Sequence, residues 1–305
     1  MFDIVGKRYW YFLFSLLIII PGIVSLSTYG LKPSIDFTGG SMLELQFQHA
    51  VQPTEVREVF VDAGYTDTSV QNVAGEDTVV VRMKQVDEQT KSELEQKLEE
   101  RFGPLTELYF RSVGPSVGQE VTRAAFVAVG VASLAILAFI ILAFRKVPNA
   151  FRYGVCAIVA MVHDVLVAAG IFSILGAILG WEVDALFLTA LLTVIGFSVQ
   201  DTIVVFDRIR ENIPKRRGED YETIVNRSLL ETLHRSLATQ LNAMFVLIAL
   251  LLFGGSTIKQ FILVLFIGML SGTYSSIFNA VPLLVVWEKG EIGNFFRRLF
   301  RRPAA

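Results

Sequence analysis

Gly196-Phe197-Ser198-Val199-Gln200-Asp201-Thr202-Ile203-Val204-Val205-Phe206-Asp207-Arg208 is the stretch on which the reading of this chain turns. Residues 185–206 are apolar and long enough to cross about 30 Å of hydrocarbon, which takes about 20 helical residues. Charges resume only at Asp207, yet Asp201 lies six residues inside that boundary, about 9 Å deep at 1.5 Å per residue. A carboxylate at that depth must be neutralised by a proton, a cation or a basic side chain. The bland alternative is a boundary placed a turn too late, leaving Asp201 in interfacial water.

Five further stretches resemble this one in length and hydropathy. With it they predict a polytopic α-helical membrane protein with six transmembrane helices, over 9–28, 124–144, 153–179, 185–206, 237–253 and 261–286. Composition agrees: 53% of the 305 residues are apolar and 18% charged, against roughly 45–50% and 25% in soluble domains. The first stretch follows Lys7 and Arg8 but is longer than the core of a secretory signal, so an uncleaved helix is expected. Lys and Arg gather before the first helix, between the second and third, between the fourth and fifth, and in the tail at Arg297, Arg298, Arg301 and Arg302. The positive-inside tendency then puts both termini in the cytoplasm.

Residues 30–123 are left outside, an acidic insertion with nine Lys/Arg against sixteen Asp/Glu. Leu43, Leu45 and Phe47 alternate with Glu44 and Gln46, the period of a half-buried strand. Val56, Val59, Phe60 and Ala63 recur at helical spacing after Pro53, and Gly64 can end that helix. Strands are expected over 68–73 and 78–83 with a turn at Gly75–Asp77, then a helix carrying Leu94, Leu98 and Phe102, stopped by Gly103 and Pro104. A last strand is expected at 106–112. The order βαββαβ predicts a ferredoxin-like α+β extracytoplasmic domain between helices one and two. The chain thus divides into 1–29 (cytoplasmic N-terminus and first helix), 30–123, 124–287 (helices two to six) and 288–305, a basic cytoplasmic tail suited to an anionic membrane surface.

The candidate chemistry lies in the membrane. Arg235 opens the fifth span in His234-Arg235-Ser236-Leu237-Ala238-Thr239-Gln240. Arginine keeps its charge, so an Asp201–Arg235 pair would hold the aspartate ionised. Such a pair couples protonation to conformation if it can separate, or simply sets helix register if it cannot. His163 and Asp164 in the third span, with Gln200 and Thr202 in the fourth, read either as a polar relay or as contacts between helices; Gln240 and Asn242 invite the same two readings. Gly268 and Gly272 in the sixth span form a close-packing motif. The three histidines are scattered and Cys156 is the lone cysteine, so no metal site, cofactor or disulfide is expected. No P-loop or enzyme site is present, and the net charge of −2 suggests no nucleic-acid partner.

Ile35-Asp36-Phe37-Thr38-Gly39-Gly40 after helix one, Val113-Gly114-Pro115-Ser116-Val117-Gly118 before helix two, His163-Asp164-Val165, and the run from Gly196 to Asn212 resemble the SecD/SecF family of protein-export membrane proteins, in its SecF branch. The resemblance covers nearly the whole chain. It implies membership of the resistance-nodulation-division superfamily and a multi-pass place in the bacterial cytoplasmic membrane. The implied partners are a SecD subunit, the SecYEG channel, YajC, SecA-dependent machinery, the translocating preprotein and membrane lipids. It also implies use of the proton-motive force, with Asp201 and Arg235 required for proton passage. The family motif more often reads Gly-Tyr-Ser-x-Asn-Asp; here Phe197 lacks the hydroxyl and Gln200 keeps an amide. Asp36, Gly39, Gly40, Gly114, Pro115 and Gly118 read as either tight turns or a hinge. The other reading is half of a small-molecule or lipid exporter of the same superfamily.

Overall fold

The computed structural model describes residues 2–72, 77–145 and 149–291. The expected turn at Gly75–Asp77, apart from Asp77, and the basic tail from Arg297 lie outside the described residues. Two compact units are present: residues 1–32 with 128–305, and Pro33–Val127.

The smaller unit holds a short helix α2 (Ile35–Thr38), β1 (Gly40–Phe47), α3 (Pro53–Asp62), β2 (Ser69–Asn72), β3 (Thr78–Met83), α4 (Glu88–Phe102) and β4 (Leu105–Val113). The sheet order is β2-β3-β1-β4, every neighbour antiparallel, which is the ferredoxin-like arrangement. Alternation sorts the faces as expected: Leu43, Leu45 and Phe47 join Val79, Val81, Phe60, Leu94 and Leu98 in one core. Pro53 starts α3 where its missing N–H is harmless. Asp87 caps α4 by accepting the Thr90 N–H at 2.9 Å. Gly64 and Gly103, both at positive φ, follow the helix ends.

The larger unit begins with α1 (Arg8–Thr28), preceded by a single 3-10 turn. It continues through α5 (Pro115–Ala143, from Ala128 onward), α6 (Ala150–Leu179), α7 (Ala185–Lys215), α8 (Tyr221–Phe253), α9 (Ser256–Ser275), a π-helical turn Ser276–Ala280, and α10 (Val281–Glu288). Among the described residues six candidate spans result, the last formed by α9, the π turn and α10 together. The helices outrun the apolar windows. The fifth begins at Tyr221 rather than 237, because Asp220 caps it and its polar first turns still bury Ile224, Val225 and Leu229. The second begins at Pro115 rather than 124.

Helix α6 packs against α1, α7, α9 and α10. Along α1 the crossing is at glycine: a Cβ on Gly170 would lie 2.6 Å from the Gly22 Cα. Near the charged end, Phe144 stacks on Tyr153 at 5.5 Å, and Phe206 meets Tyr153 edge-on at 5.1 Å. Beyond them Arg8 pairs with Glu222 at 2.8 Å and Glu291 at 2.5 Å, and Arg152 pairs with Glu288 at 2.5 Å. Large apolar residues such as Leu17, Leu134 and Phe245 are exposed, as lipid or a partner helix would require.

Candidate functional site

Helix α7 turns Val194, Ser198, Asp201, Thr202 and Val205 inward, residues three or four apart along one face. Asp201 is only 5% exposed. Its Oδ2 accepts a hydrogen bond from Gln240 Nε2 of α8 at 2.6 Å. Gln200 falls on the exposed side of α7, away from the Asp201–Gln240 contact.

The expected partner of Asp201 is not its partner here. Arg235 is exposed and makes no ion pair with it among the described residues. Helical phase explains this: Arg235 precedes Gln240 by five residues, which is about 140° around the helix axis. Ser236 and Gln240, four apart, share the face that α8 turns inward. The carboxylate is thus held by a neutral amide. Gln240 Oε1 and Ser236 Oγ are buried without hydrogen-bond partners among the described residues, so acceptor sites stand beside it.

A second carboxylate is more enclosed still. Asp164 has no exposed surface. Its Oδ2 accepts from Ser198 Oγ and Ser275 Oγ, each at 2.6 Å, and its Oδ1 from Ser271 Oγ at 2.6 Å and His163 Nδ1 at 3.0 Å. Three serine hydroxyls and one imidazole nitrogen, from three helices, therefore surround the four lone-pair positions of the carboxylate. Thr202, fully buried, lies 2.9 Å from Ser276 Oγ, and both oxygens lie 3.1 Å from the Ser198 carbonyl, so one hydroxyl donates to that carbonyl and the other to its neighbour. His163 and Thr202 are thus brought to the same layer.

Ser271, Ser275 and Ser276 were not singled out by sequence reasoning as ligands of a carboxylate. The available signal was the i, i+4 spacing of Ser271 and Ser275 beside Gly268 and Gly272. A Cβ on Gly272 would lie 3.3 Å from the Ser198 Cα, so the small residues are what let the serines reach Asp164. Ser276 opens the π turn, a form often found at functional sites. Pro282 follows it; lacking an N–H, proline cannot complete a regular α-helical ladder there.

The glycine motifs of the smaller unit form one tight junction. A Cβ on Gly39, at φ +74°, would lie 2.8 Å from Pro115 Cα, and one on Gly118 2.8 Å from the Phe37 carbonyl oxygen. Only glycine permits both backbones this approach. Gly40 lies at φ +128°, facing the Met83 carbonyl at 2.7 Å by the same measure, whereas Gly114 has nothing nearer than 3.7 Å. Asp36, 4% exposed, pairs with Arg111 Nη2 at 3.0 Å.

Residues 73–290 match the sequence profile described as protein export membrane protein SecD/SecF, C-terminal, and residues 24–51 match the SecD/SecF GG motif. The chain belongs to the SecD/SecF family. Among SecD/SecF relatives, the protein translocase subunit SecF of Thermobaculum terrenum is 52% identical, with all of both chains covered. That of Anaerolinea thermophila is 50% identical over 98% of both. The crystal structure of SecDF, a translocon-associated membrane protein from Thermus thermophilus, aligns with a TM-score of 0.82 at 33% identity. It covers 94% of this chain, which spans 39% of that longer SecDF chain. The GG motif coincides with the Gly39–Gly40 junction, and the C-terminal profile takes in both buried carboxylates.

Proposed function

We propose that this chain acts as the SecF-type half of a membrane motor that draws on the proton-motive force to promote preprotein translocation. Its partner would be a SecD subunit, beside a SecYEG channel, with both termini in the cytoplasm. The observation that carries this reading is Asp201: a carboxylate enclosed within a membrane span and held by a neutral amide rather than a cation. A group so placed changes charge by binding or releasing a proton. Moving one charge through 100 mV is worth about 2.3 kcal/mol, a bias of nearly fifty-fold in a conformational equilibrium. The cycle we infer alternates Asp201 between a protonated form and an anion that meets Arg235 when α8 shifts against α7. Family membership supports the assignment, as does a relative of known structure in which SecD and SecF are one chain. The glycine junction at Gly39 and Gly118 would serve as the hinge that passes helix movement to the sheet unit.

The test is Asp201→Asn in proteoliposomes holding the complex of this chain with SecD and the channel. Proton-gradient stimulation of translocation should fall at least tenfold while the complex assembles normally. Unchanged stimulation would refute the motor reading and leave a scaffold role. Export of a lipid or small molecule by the chain without a SecD partner would favour the exporter reading instead.

A further inference from the structure

The arrangement around Asp164 has work left over after Asp201 is assigned. Asp164 accepts three hydrogen bonds from serine hydroxyls at 2.6 Å, and His163 Nδ1 lies 3.0 Å from its Oδ1. With the ring as its Nδ1–H tautomer the set is four donors, which match the acceptor positions of an ionised carboxylate. The anion is fully enclosed, and no Lys or Arg pairs with it among the described residues. An isolated charge in that setting is strongly disfavoured. The group in contact that can carry a compensating positive charge is His163, whose Nδ1 lies 3.0 Å from Asp164 Oδ1. His163 is itself 93% buried, by its 7% exposure. Its other ring nitrogen, Nε2, is buried without a hydrogen-bond partner.

We propose that His163 and Asp164 form a second intramembrane protonation site, in which the imidazole takes a proton at Nε2 and the serine-bound carboxylate supplies the counter-charge. Uptake forms one N–H bond and changes the pair from net negative to net neutral; release breaks that bond and returns the proton to water. An aspartate held rigid by hydroxyls while it orients and stabilises an imidazolium uses the same physics as an Asp–His pair in a hydrolase. The surroundings leave the pair as its own charge balance. Ser198 faces it from α7, with Asp201 three residues further on; Ser271, Tyr274 and Ser275 face it from α9. Tyr274 lies over the His163 ring at 6.2 Å between centroids and donates its own proton to the Tyr11 carbonyl of α1. In the π turn, Ser276 lies against the Ser198 carbonyl, and Asn279 accepts from Ser15 of α1 at 2.9 Å. The nearest charges along α6 and α10, Arg152 and Glu288, are paired with each other, about 18 Å away at twelve residues of helix.

The proposal rests on the reading of the chain as half of a proton-driven motor, and adds a second proton-binding station to it. The experiment is a pH titration of histidine ring nitrogens by 15N NMR, on the full chain with its SecD partner in lipid nanodiscs. His49 and His234 signals are separated by the His163→Gln spectrum. The His163 Nε2 resonance should pass from its unprotonated to its protonated position between pH 9 and pH 5. Asp164→Asn should lower the midpoint of that change by at least one pH unit, a tenfold loss of proton affinity. Should that variant fail to fold, Ser271→Ala removes one donor from the shared Oδ1 and should move the midpoint upward, because a less satisfied anion holds the imidazolium more tightly. A ring that stays neutral from pH 5 to 9 in the folded wild type overturns the proposal. So does a midpoint that neither variant moves. Asp201→Asn tells the two readings apart: translocation lost with His163 still titrating supports both. Translocation retained with His163 titrating leaves a proton site without the motor.

Discussion

At the scale of single residues, the chain separates two kinds of buried charge. In the sheet unit, Lys91 is buried, yet hydrogen bonds to Glu107 and Glu88 outweigh that burial and hold its ammonium above the usual range. Glu95, one turn on, is pushed up to about 7, chiefly by burial, with Glu107 adding to the effect and Lys91 opposing it. The ordinary value is 4.5, so between about 4.5 and about 7 the folded domain holds a proton that the unfolded chain has released. Stability therefore falls as pH rises through that window. Hydrogen exchange, corrected for its intrinsic pH dependence, should show protection of α4 declining between about pH 5 and about pH 7 and levelling off above that. Glu95→Gln should flatten the decline, and an unaltered slope would count against this account. In the membrane, by contrast, Asp201 and Asp164 have no lysine or arginine partner among the described residues. That Asp201 would be enclosed was legible in the sequence from an unbroken apolar window, whereas its partner was not. Charge favoured Arg235; helical phase favoured Gln240, and phase decides which side chain faces inward. Asp164 was visible only as an oddity, because Ser198, Ser271 and Ser275 lie 34 to 111 residues away.

Elements show the same division between what periodicity carries and what packing adds. The βαββαβ order followed from alternation, helical spacing and the glycines after α3 and α4, and the observed sheet has that order. Helix ends were less legible: α8 gains sixteen residues before its apolar window because its first turns are amphipathic and capped by Asp220. Crossing points were not legible at all. Gly22 and Gly170 look like isolated glycines in apolar runs, yet they set the closest approach of α1 and α6. Gly170→Ala should destabilise the bundle by about 1–3 kcal/mol, the usual cost of overpacking, read as a lower thermal midpoint in detergent. Gly196, in the same membrane unit, has open space around its Cα. Gly196→Ala should therefore be neutral or stabilising by up to about 1 kcal/mol. Equal effects from the two would show that helix propensity, and not contact, governs Gly170.

For the whole molecule, the helices of the membrane unit are of two kinds. α6 and the last span bury their small and polar residues against each other, while α1, α5 beyond Ala128 and much of α8 expose leucine, valine and phenylalanine. Lipid can cover such surface, but a family in which SecD and SecF occur as one chain argues for partner helices over part of it. Co-expression with a SecD subunit should therefore yield a one-to-one complex that survives mild detergent. Leu134, 68% exposed on α5, is a suitable position for a cysteine cross-link to it. Failure to recover any such complex from native membranes would leave these helices facing lipid alone.

The π turn at Ser276–Ala280 amounts to a one-residue insertion in an otherwise continuous span. In an unbroken α-helix, Leu284 would stand nine residues from Ser275, about 180° away; one residue of slack reduces that to about 80°. The last span can therefore aim its hydroxyls and its aliphatic end into the same bundle, although no single helical stripe contains both. Families of this architecture should treat that position as length-critical. Loss of one residue there would rotate Leu284 and Val285 out of register as a block, where a side-chain exchange would merely loosen them.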